Sequence, residues 1–388
     1  MRKCKVYLKG AYGPGNLGDD VLMIGIINVL KESFRPEDIV VGVENTELAR
    51  LFDPQINWQH YKIPYQAEYL VYGGGGQFFS FKGKDSQSAD STDHSVLHKL
   101  KNFIVNNQNP IHACNRLIAS RKGAMENLVL SKNVASYCIG LGPFEVEGKG
   151  GERLKKFIKN VDFCSVRDDT SAEHYLNFNG DKDKLHTFKD PSFYSEDWYQ
   201  DLNSGNTASR DYISYILRGW PYSGHGQDLI QAMTKHALKM QEKGHKVRFV
   251  SLFREKDLDI IEQFPNAEWL IYDVEKHSIS GFMEDLLNSS KYICSARAHG
   301  VWLPTILGFP VLAVGIENKL NEVHKGLSKC SAITVSADLD CFDNDFNDYC
   351  ERYGVLESNI QEQVFSNREQ ALLARKSFNK WIKETNAN

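Results

Sequence analysis

The sequence predicts an α/β protein built from two doubly wound domains in tandem. Three observations carry that expectation. Short apolar runs alternate with segments of helical period from end to end, the pattern of parallel sheets covered by helices. The alternation occurs twice, on either side of a polar stretch at Ser195–Arg210. A chain of 388 residues also suits two domains better than one. The boundary falls near residue 200, giving domains at 1–200 and 201–388.

In the first half, Lys5–Tyr12 reads as a strand. Asp20–Leu30 reads as a helix, because Val21, Ile24, Ile27 and Leu30 recur at helical spacing. Ile39–Val43, Tyr69–Tyr72, Val134–Ile139 and Phe163–Val166 are apolar runs of strand length. Gly83–Asp93 is polar and reads as an exposed loop. In the second half, Tyr212–Arg218 is a strand, Gln227–Gln241 a helix and Lys246–Phe253 a strand. Trp269–Asp273, Tyr292–Ser295 and Pro310–Val314 follow as strands separated by helical segments, and Arg368–Glu384 forms an amphipathic helix.

Composition removes several function classes. The 46 basic residues face 50 acidic ones, a net charge of −4 with no long basic run, so nucleic acid is not the expected partner. No stretch approaches the roughly 20 apolar residues that span a bilayer, and the N-terminus lacks the apolar core of a signal peptide. The eight cysteines are scattered, with no Cys-x-x-Cys and no zinc spacing, so no metal is expected. Cys138, Cys164 and Cys294 sit in apolar runs and are expected to be small buried hydrophobes. A cytoplasmic location is expected, with peripheral association at the inner membrane face left open.

Ligands of doubly wound sheets bind beyond the carboxyl ends of strands, so residues just after strands are the candidates for function. Gly13–Gly18 matches G-x-G-x-x-G between a strand and a helix, with Glu44 where a ribose ligand would stand, which would make an NAD site. Asp19 and Asp20 argue against it. They place negative charge at the helix N-terminus, where a pyrophosphate would have to bind. A capped tight turn shaping the floor of a cleft is the expected role of this segment. Gly73–Gly76 follows Tyr69–Tyr72 and either contacts substrate through its bare backbone or makes a bend needed for packing.

The most informative segment is Lys291–Gly300. Its strand ends in Arg297 and His299, two apart and on one side if the chain stays extended, with Pro304 placed early in the helix that follows. A guanidinium and an imidazole beside a helix N-terminus suit an anion and a proton transfer. Arg167, Arg218 and Lys319 occupy equivalent places after other strands. Arg167 could instead pair with Asp168 or Asp190, and Arg218 and Lys319 could be solvated. Four cations at strand ends across two domains nevertheless suggest an anionic substrate in the cleft between them.

Read together, these residues resemble the polysaccharide pyruvyl transferase family. The resemblance rests on Gly15–Asp20, the strand into Gly73–Gly76, Ser165–Asp168 with Ser171, Asp190–Pro191, Arg297–Gly300, and Gly308–Pro310 with Lys319 downstream. Ala298 stands where the family usually has leucine, which leaves the Arg–His pair intact, and the polar stretch at 83–93 matches no family motif. The resemblance implies two Rossmann-like domains facing across a cleft, as in GT-B glycosyltransferases, with the C-terminal helix packing back on the N-terminal domain. It implies phosphoenolpyruvate as co-substrate and no other cofactor. The acceptor would be a sugar or glycan, free or linked to a lipid or nucleotide. By position, His299 and Arg297 would be catalytic and Arg167 a further anion contact; Arg218, Gly300 and Lys319, at the other strand ends, are the remaining donor-binding candidates. Asn16, Asp19, Gly74, Gly75, Gly76 and Gln77 would form the acceptor side. A GT-B glycosyltransferase using a nucleotide sugar is the alternative, ahead of an NAD-dependent oxidoreductase.

Overall fold

The computed structural model describes residues 1–78, 129–142, 147–199, 210–220 and 223–387. Two parallel sheets organise them. The first contains β1 (Arg2–Lys9), β2 (Ile39–Val43), β3 (Asn57–His60), β4 (Tyr65–Gly73), β5 (Gly76–Gln77), β6 (Val129–Leu141), β7 (Phe163–Val166) and β8 (Leu185–Thr187). Their order is β3-β2-β1-β4-β6-β7-β8, with β5 paired to β6. The second contains β9 (Tyr212–Ile216), β10 (Lys246–Ser251), β11 (Trp269–Ile271), β12 (Ser290–Ser295), β13 (Val311–Val314) and β14 (Ser331–Thr334), in the order β11-β10-β9-β12-β13-β14. Each sheet runs outward from its first strand in both directions, the doubly wound order, and each therefore has a switch point beside that strand.

Ten α-helices connect and cover the strands among the described residues. They are α1 (Leu17–Lys31), α2 (Thr46–Ala49), α3 (Lys149–Asn160), α4 (Asp169–Asn177), α5 (Gly224–Glu242), α6 (Arg254–Gln263), α7 (Ile279–Ser289), α8 (Ala298–Ile306), α9 (Asn318–Gly326) and α10 (Leu339–Ala387). Strands covered on both faces read as unbroken apolar runs, which is why β2 and β7 coincide with their predicted spans; every residue of both is buried. Of the strands that the apolar pattern missed, β3, β8 and β14 lie at sheet edges, where polar residues intrude, and β5 is a two-residue pairing within the glycine run. Register sets the start of β1. Arg2 pairs with Tyr65 and Lys3 with Gln66, so the strand begins before its apolar centre and ends at Lys9, not Tyr12.

The C-terminal helix is longer than its amphipathic end suggested. α10 is continuous over 49 residues and crosses from one domain to the other. Its first half buries Phe342, Phe346 and Tyr349 in the core of the second domain, and its second half buries Ala374, Phe378 and Ile382 in the first. Two partners on two faces leave no single stripe, so periodicity alone showed only one half. The second half is latched by Arg375, which donates to Asp197 at 2.9 Å and pairs with Glu32, and by Asn379, which donates to Glu32 at 2.6 Å. The helix does pack back on the N-terminal domain.

α1 joins the domains at the cleft. The Leu17 N–H donates to the Leu252 carbonyl at 3.0 Å, Asn16 bridges Phe253, and Leu17 and Val21 enter the core of the second domain. The loop at Gly83–Asp93, most of the linker Ser195–Arg210 and the boundary near residue 200 lie outside the described residues; Ser195–Asp197 forms a 3-10 turn. Cys138, Cys164 and Cys294 are buried, as their apolar surroundings required. Among the described residues no helix is long and apolar enough to cross a membrane.

Candidate active site

The proposed site residues lie beyond the carboxyl ends of strands, except Gly76 and Gln77, which form the short strand β5 itself. Asn16 and Asp19 follow β1, Gly74–Gln77 follow β4, and Arg167 follows β7. Arg218 follows β9, Arg297, His299 and Gly300 follow β12, and Lys319 follows β13. The two switch points face each other, so these ends meet in the cleft between the sheets. A cavity of about 470 Å³, including its open mouth, is lined by Arg167, Asp190, Phe193, Trp302, Lys319 and Asn367, among others; of the proposed site residues it takes in Arg167 and Lys319, while His299 and Arg297 do not line it.

Local structure corrects the picture of Arg297 and His299 on an extended strand. β12 stops at Ser295, whose hydroxyl accepts from the Arg297 N–H at 3.1 Å and donates to its carbonyl at 2.9 Å. That turn makes Arg297 the N-cap of α8 and puts His299 in its first turn, while Pro304 lies inside the helix rather than at its start. Gly300 is required there. A Cβ at this position would stand 2.3 Å from the Ser295 hydroxyl and 3.0 Å from Ile216 Cδ1. Gly18 plays the matching part on α1, because a Cβ there would lie 2.0 Å from His299 Nδ1. The imidazole thus rests on the bare backbone of the opposite domain.

Gly18→Ala is therefore expected to displace His299, lowering stability by about 1–3 kcal/mol and turnover at least tenfold. Gly25→Ala on the same helix is the control. Its Cβ would approach nothing closer than 3.9 Å, so thermal unfolding and activity should stay at or above wild type. Equal behaviour of the two variants would contradict this packing.

The three arginines are held by carboxylates. Arg167 donates to Asp190 at 2.9 Å and lies 3.5 Å from Asp168, Arg297 donates to Asp257 at 2.5 Å and to the Leu217 carbonyl at 3.2 Å, and Arg218 pairs with Glu317. In each of the pairs with Asp190, Asp257 and Glu317 the carboxylate is the more buried partner: 1% against 5%, 0% against 13%, and 11% against 24% exposed. Each acid thus anchors its guanidinium from behind. Lys319 has no ion pair among the described residues. Arg167 also stacks over the Trp302 ring at 5.3 Å, and His299 meets the same ring edge-on at 5.3 Å.

Burial and this charge set the protonation states. Burial, helped by Lys319, Arg167 and Arg297 against the opposing pull of Asp190, depresses the His299 imidazole to about 3. The site holds it neutral instead of near its ordinary value, and its Nε2 is buried with no hydrogen-bond partner among the described residues. Burial, then Arg167 and Arg218, brings the Lys319 ammonium down to about 8, although Glu317 and Asp19 oppose this. Burial lifts the Asp19 carboxyl to about 6, with Lys319, Asn16, Arg167 and Arg297 limiting the rise. Burial also pushes Asp190 upward, but Arg167, His299 and Ser192 together hold it below the ordinary carboxylate value.

The glycine-rich turn after β1 is not an open anion cradle. The Asp20 carboxylate accepts from the Gly15 N–H at 2.9 Å and Leu17 N–H is taken by Leu252, so two of the amides a pyrophosphate would draw on are occupied. The run after β4 serves packing. A Cβ on Gly73 or Gly74 would strike Tyr12 or Leu22, Gly75 has φ +78° against Asp19, and Gly75 and Gln77 carbonyls accept from Gly140 and Gly142. Gln77 folds its amide back onto the Gly73 and Gly74 carbonyls. Of the acceptor-side residues, Asn16 and Asp19 are the ones with side chains beside the cations. Sequence reasoning passed over Asp257, 40 residues from Arg297, and Trp302; only Trp302, one helical turn beyond His299, carried a readable signal.

A family model for polysaccharide pyruvyl transferase matches residues 16–318, most of the chain and nearly all of this site. The chain belongs to the polysaccharide pyruvyl transferase family. No curated protein matches the sequence. Among solved structures, Anabaena HepE in complex with UDP and glucose is 10% identical, with a TM-score of 0.53 over 99% of both chains. The S. aureus MnaA–UDP co-structure is 12% identical, with a TM-score of 0.54 over 99% of this chain and 96% of the other. A glycosyltransferase from Rickettsia africae is 11% identical, with a TM-score of 0.51 over 98% of each. At such identities the likeness speaks for the fold. This member of the family has two Rossmann-like domains in the GT-B arrangement.

Proposed function

We propose that the protein transfers a pyruvyl group from phosphoenolpyruvate to two hydroxyls of a sugar acceptor, forming a pyruvate ketal and releasing phosphate, in glycan biosynthesis. One observation carries the reading: a neutral imidazole, its Nε2 without a hydrogen-bond partner among the described residues, stands among Arg167, Arg297 and Lys319 in the interdomain cleft. Phosphoenolpyruvate brings a carboxylate and a phosphate, which guanidinium and ammonium groups recognise. Its negative charge would raise the depressed His299, turning it into an acid able to protonate the methylene carbon. The same cations would stabilise the departing phosphate. Asn16 and Asp19, facing them from the N-terminal domain, would border the acceptor, and no protein-bound cofactor enters this chemistry.

Phosphoenolpyruvate at millimolar concentration or below is expected to raise the unfolding temperature, and UDP-glucose and NAD are expected not to. A shift with UDP-glucose and none with phosphoenolpyruvate would move the assignment to nucleotide-sugar chemistry. Phosphate release from phosphoenolpyruvate across free, nucleotide-linked and lipid-linked sugars would then identify the acceptor.

A further inference from the structure

The buried or half-buried carboxylates around the cations divide into two kinds. Asp190, Asp257 and Glu317 each grip a cation. Asp19 grips none among the described residues, although Lys319, Arg167 and Arg297 all act on it. Its neighbour Asp20 is committed to the Gly15 N–H. Asp19 Oδ2 accepts from the Asn16 amide at 2.5 Å, and Oδ1 lies 3.2 Å from where a Gly75 Cβ would stand. The carboxylate is therefore wedged between the turn after β1 and the turn after β4, in the crevice of the first switch point. The preceding residue, Gly18, is the one against which His299 packs.

We infer that Asp19 is a catalytic residue, the general base that takes the proton of the acceptor hydroxyl as its oxygen bonds to C2 of phosphoenolpyruvate. This rests on the pyruvyl-transfer reading above. Two acceptor protons must be accounted for. His299 protonates the methylene carbon, the first hydroxyl oxygen adds to C2, and Asp19 receives that hydroxyl's proton. The bond from C2 to the phosphate oxygen then breaks, the second hydroxyl adds, and its proton leaves with phosphate. The proton on Asp19 returns through solvent to His299, so both groups are restored. A base is most effective when it titrates just below the working pH. Burial lifts its titration to about 6 against the pull of Lys319, Asn16, Arg167 and Arg297, and the carboxylate in turn acts on Tyr12 and Asp20 beside it.

The test uses the full chain with phosphoenolpyruvate and hexopyranosides presenting 4,6-diols and vicinal cis-diols, each as the methyl glycoside and as the UDP-linked sugar. Asp19→Asn should bind phosphoenolpyruvate as tightly as wild type or up to about tenfold more tightly, since one opposing charge is gone. Its phosphate release should fall about 10²–10⁴-fold, and the loss of rate that wild type shows as pH drops through about 6 should disappear. In Asp19→Ala, added formate should restore part of the turnover, which a purely structural loss would not allow. Asp19→Asn turning over within threefold of wild type, or formate failing to rescue a folded Asp19→Ala, overturns the base assignment and leaves pyruvyl transfer standing. A wild-type protein that neither binds nor consumes phosphoenolpyruvate overturns both.

Discussion

Arg297→Ala is expected to abolish measurable binding of phosphoenolpyruvate and to destabilise the fold by about 3–5 kcal/mol. Both effects have one cause. Asp257 is fully buried, accepts from the Ser251 hydroxyl at 2.7 Å, and has Arg297 as its counter-ion at 2.5 Å. Removing the guanidinium leaves a buried carboxylate without a partner charge, which is the costly way to break an ion pair. Arg297→Lys should not rescue binding, because the fork that spans Asp257 and the Leu217 carbonyl is lost with the guanidinium. The double variant Arg297→Gln with Asp257→Asn separates the effects. Denaturant titration should show most of the stability regained, while isothermal titration shows no recovery of binding. Retained affinity in that double variant would remove Arg297 from the donor site.

His299→Ala should behave differently, losing about 10²–10⁴ in turnover while keeping phosphoenolpyruvate affinity within a few-fold. Its pH signature follows from the depressed imidazole. The folded protein holds His299 at about 3 against an ordinary value of 6.5, so the unfolded chain binds the proton more readily across that window. The resulting stability is present above pH 6.5 and lost as pH falls toward 3. Without ligand, His299→Ala should therefore lose less stability than wild type across this range. Phosphoenolpyruvate reverses the local charge, so binding near pH 6.5 should draw protons from the buffer, and His299→Ala should draw fewer. Equal proton uptake by the two proteins, measured in buffers of different ionisation enthalpy, would show that the imidazole does not sense the donor.

How much of this was legible in the chain can be argued element by element. β2 and β7 were readable because parallel strands are buried on both faces and appear as unbroken apolar runs. The edge strands β3 and β8 were not, since a half-solvated strand admits polar residues, and neither was β14, whose four residues include a buried serine and threonine. The first half of α10 was obscured because it serves a different partner from the second half. Of the site, Arg167, Arg218, Arg297, His299 and Lys319 could be found because strand ends in a doubly wound sheet are where ligands bind. Asp257 could not, because nothing local to α6 announces that it will hold Arg297.

The periodic pattern established the α/β architecture, and the ordered motifs pointed to the family that the match over residues 16–318 bears out. Both follow from local rules: apolar run length decides strand or helix, and turn chemistry decides where chain reversals fall. Tertiary structure alone decided what each charged residue does. Asp19 and Asp20 are chemically identical neighbours, yet Asp20 closes the turn at Gly15 while Asp19 faces three cations from elsewhere in the chain. His299 is an ordinary imidazole by sequence and a neutral one in the cleft, because desolvation and neighbouring positive charge are set by what folding brings within a few ångströms. Protonation state is a property of surroundings, and surroundings are assembled from both domains.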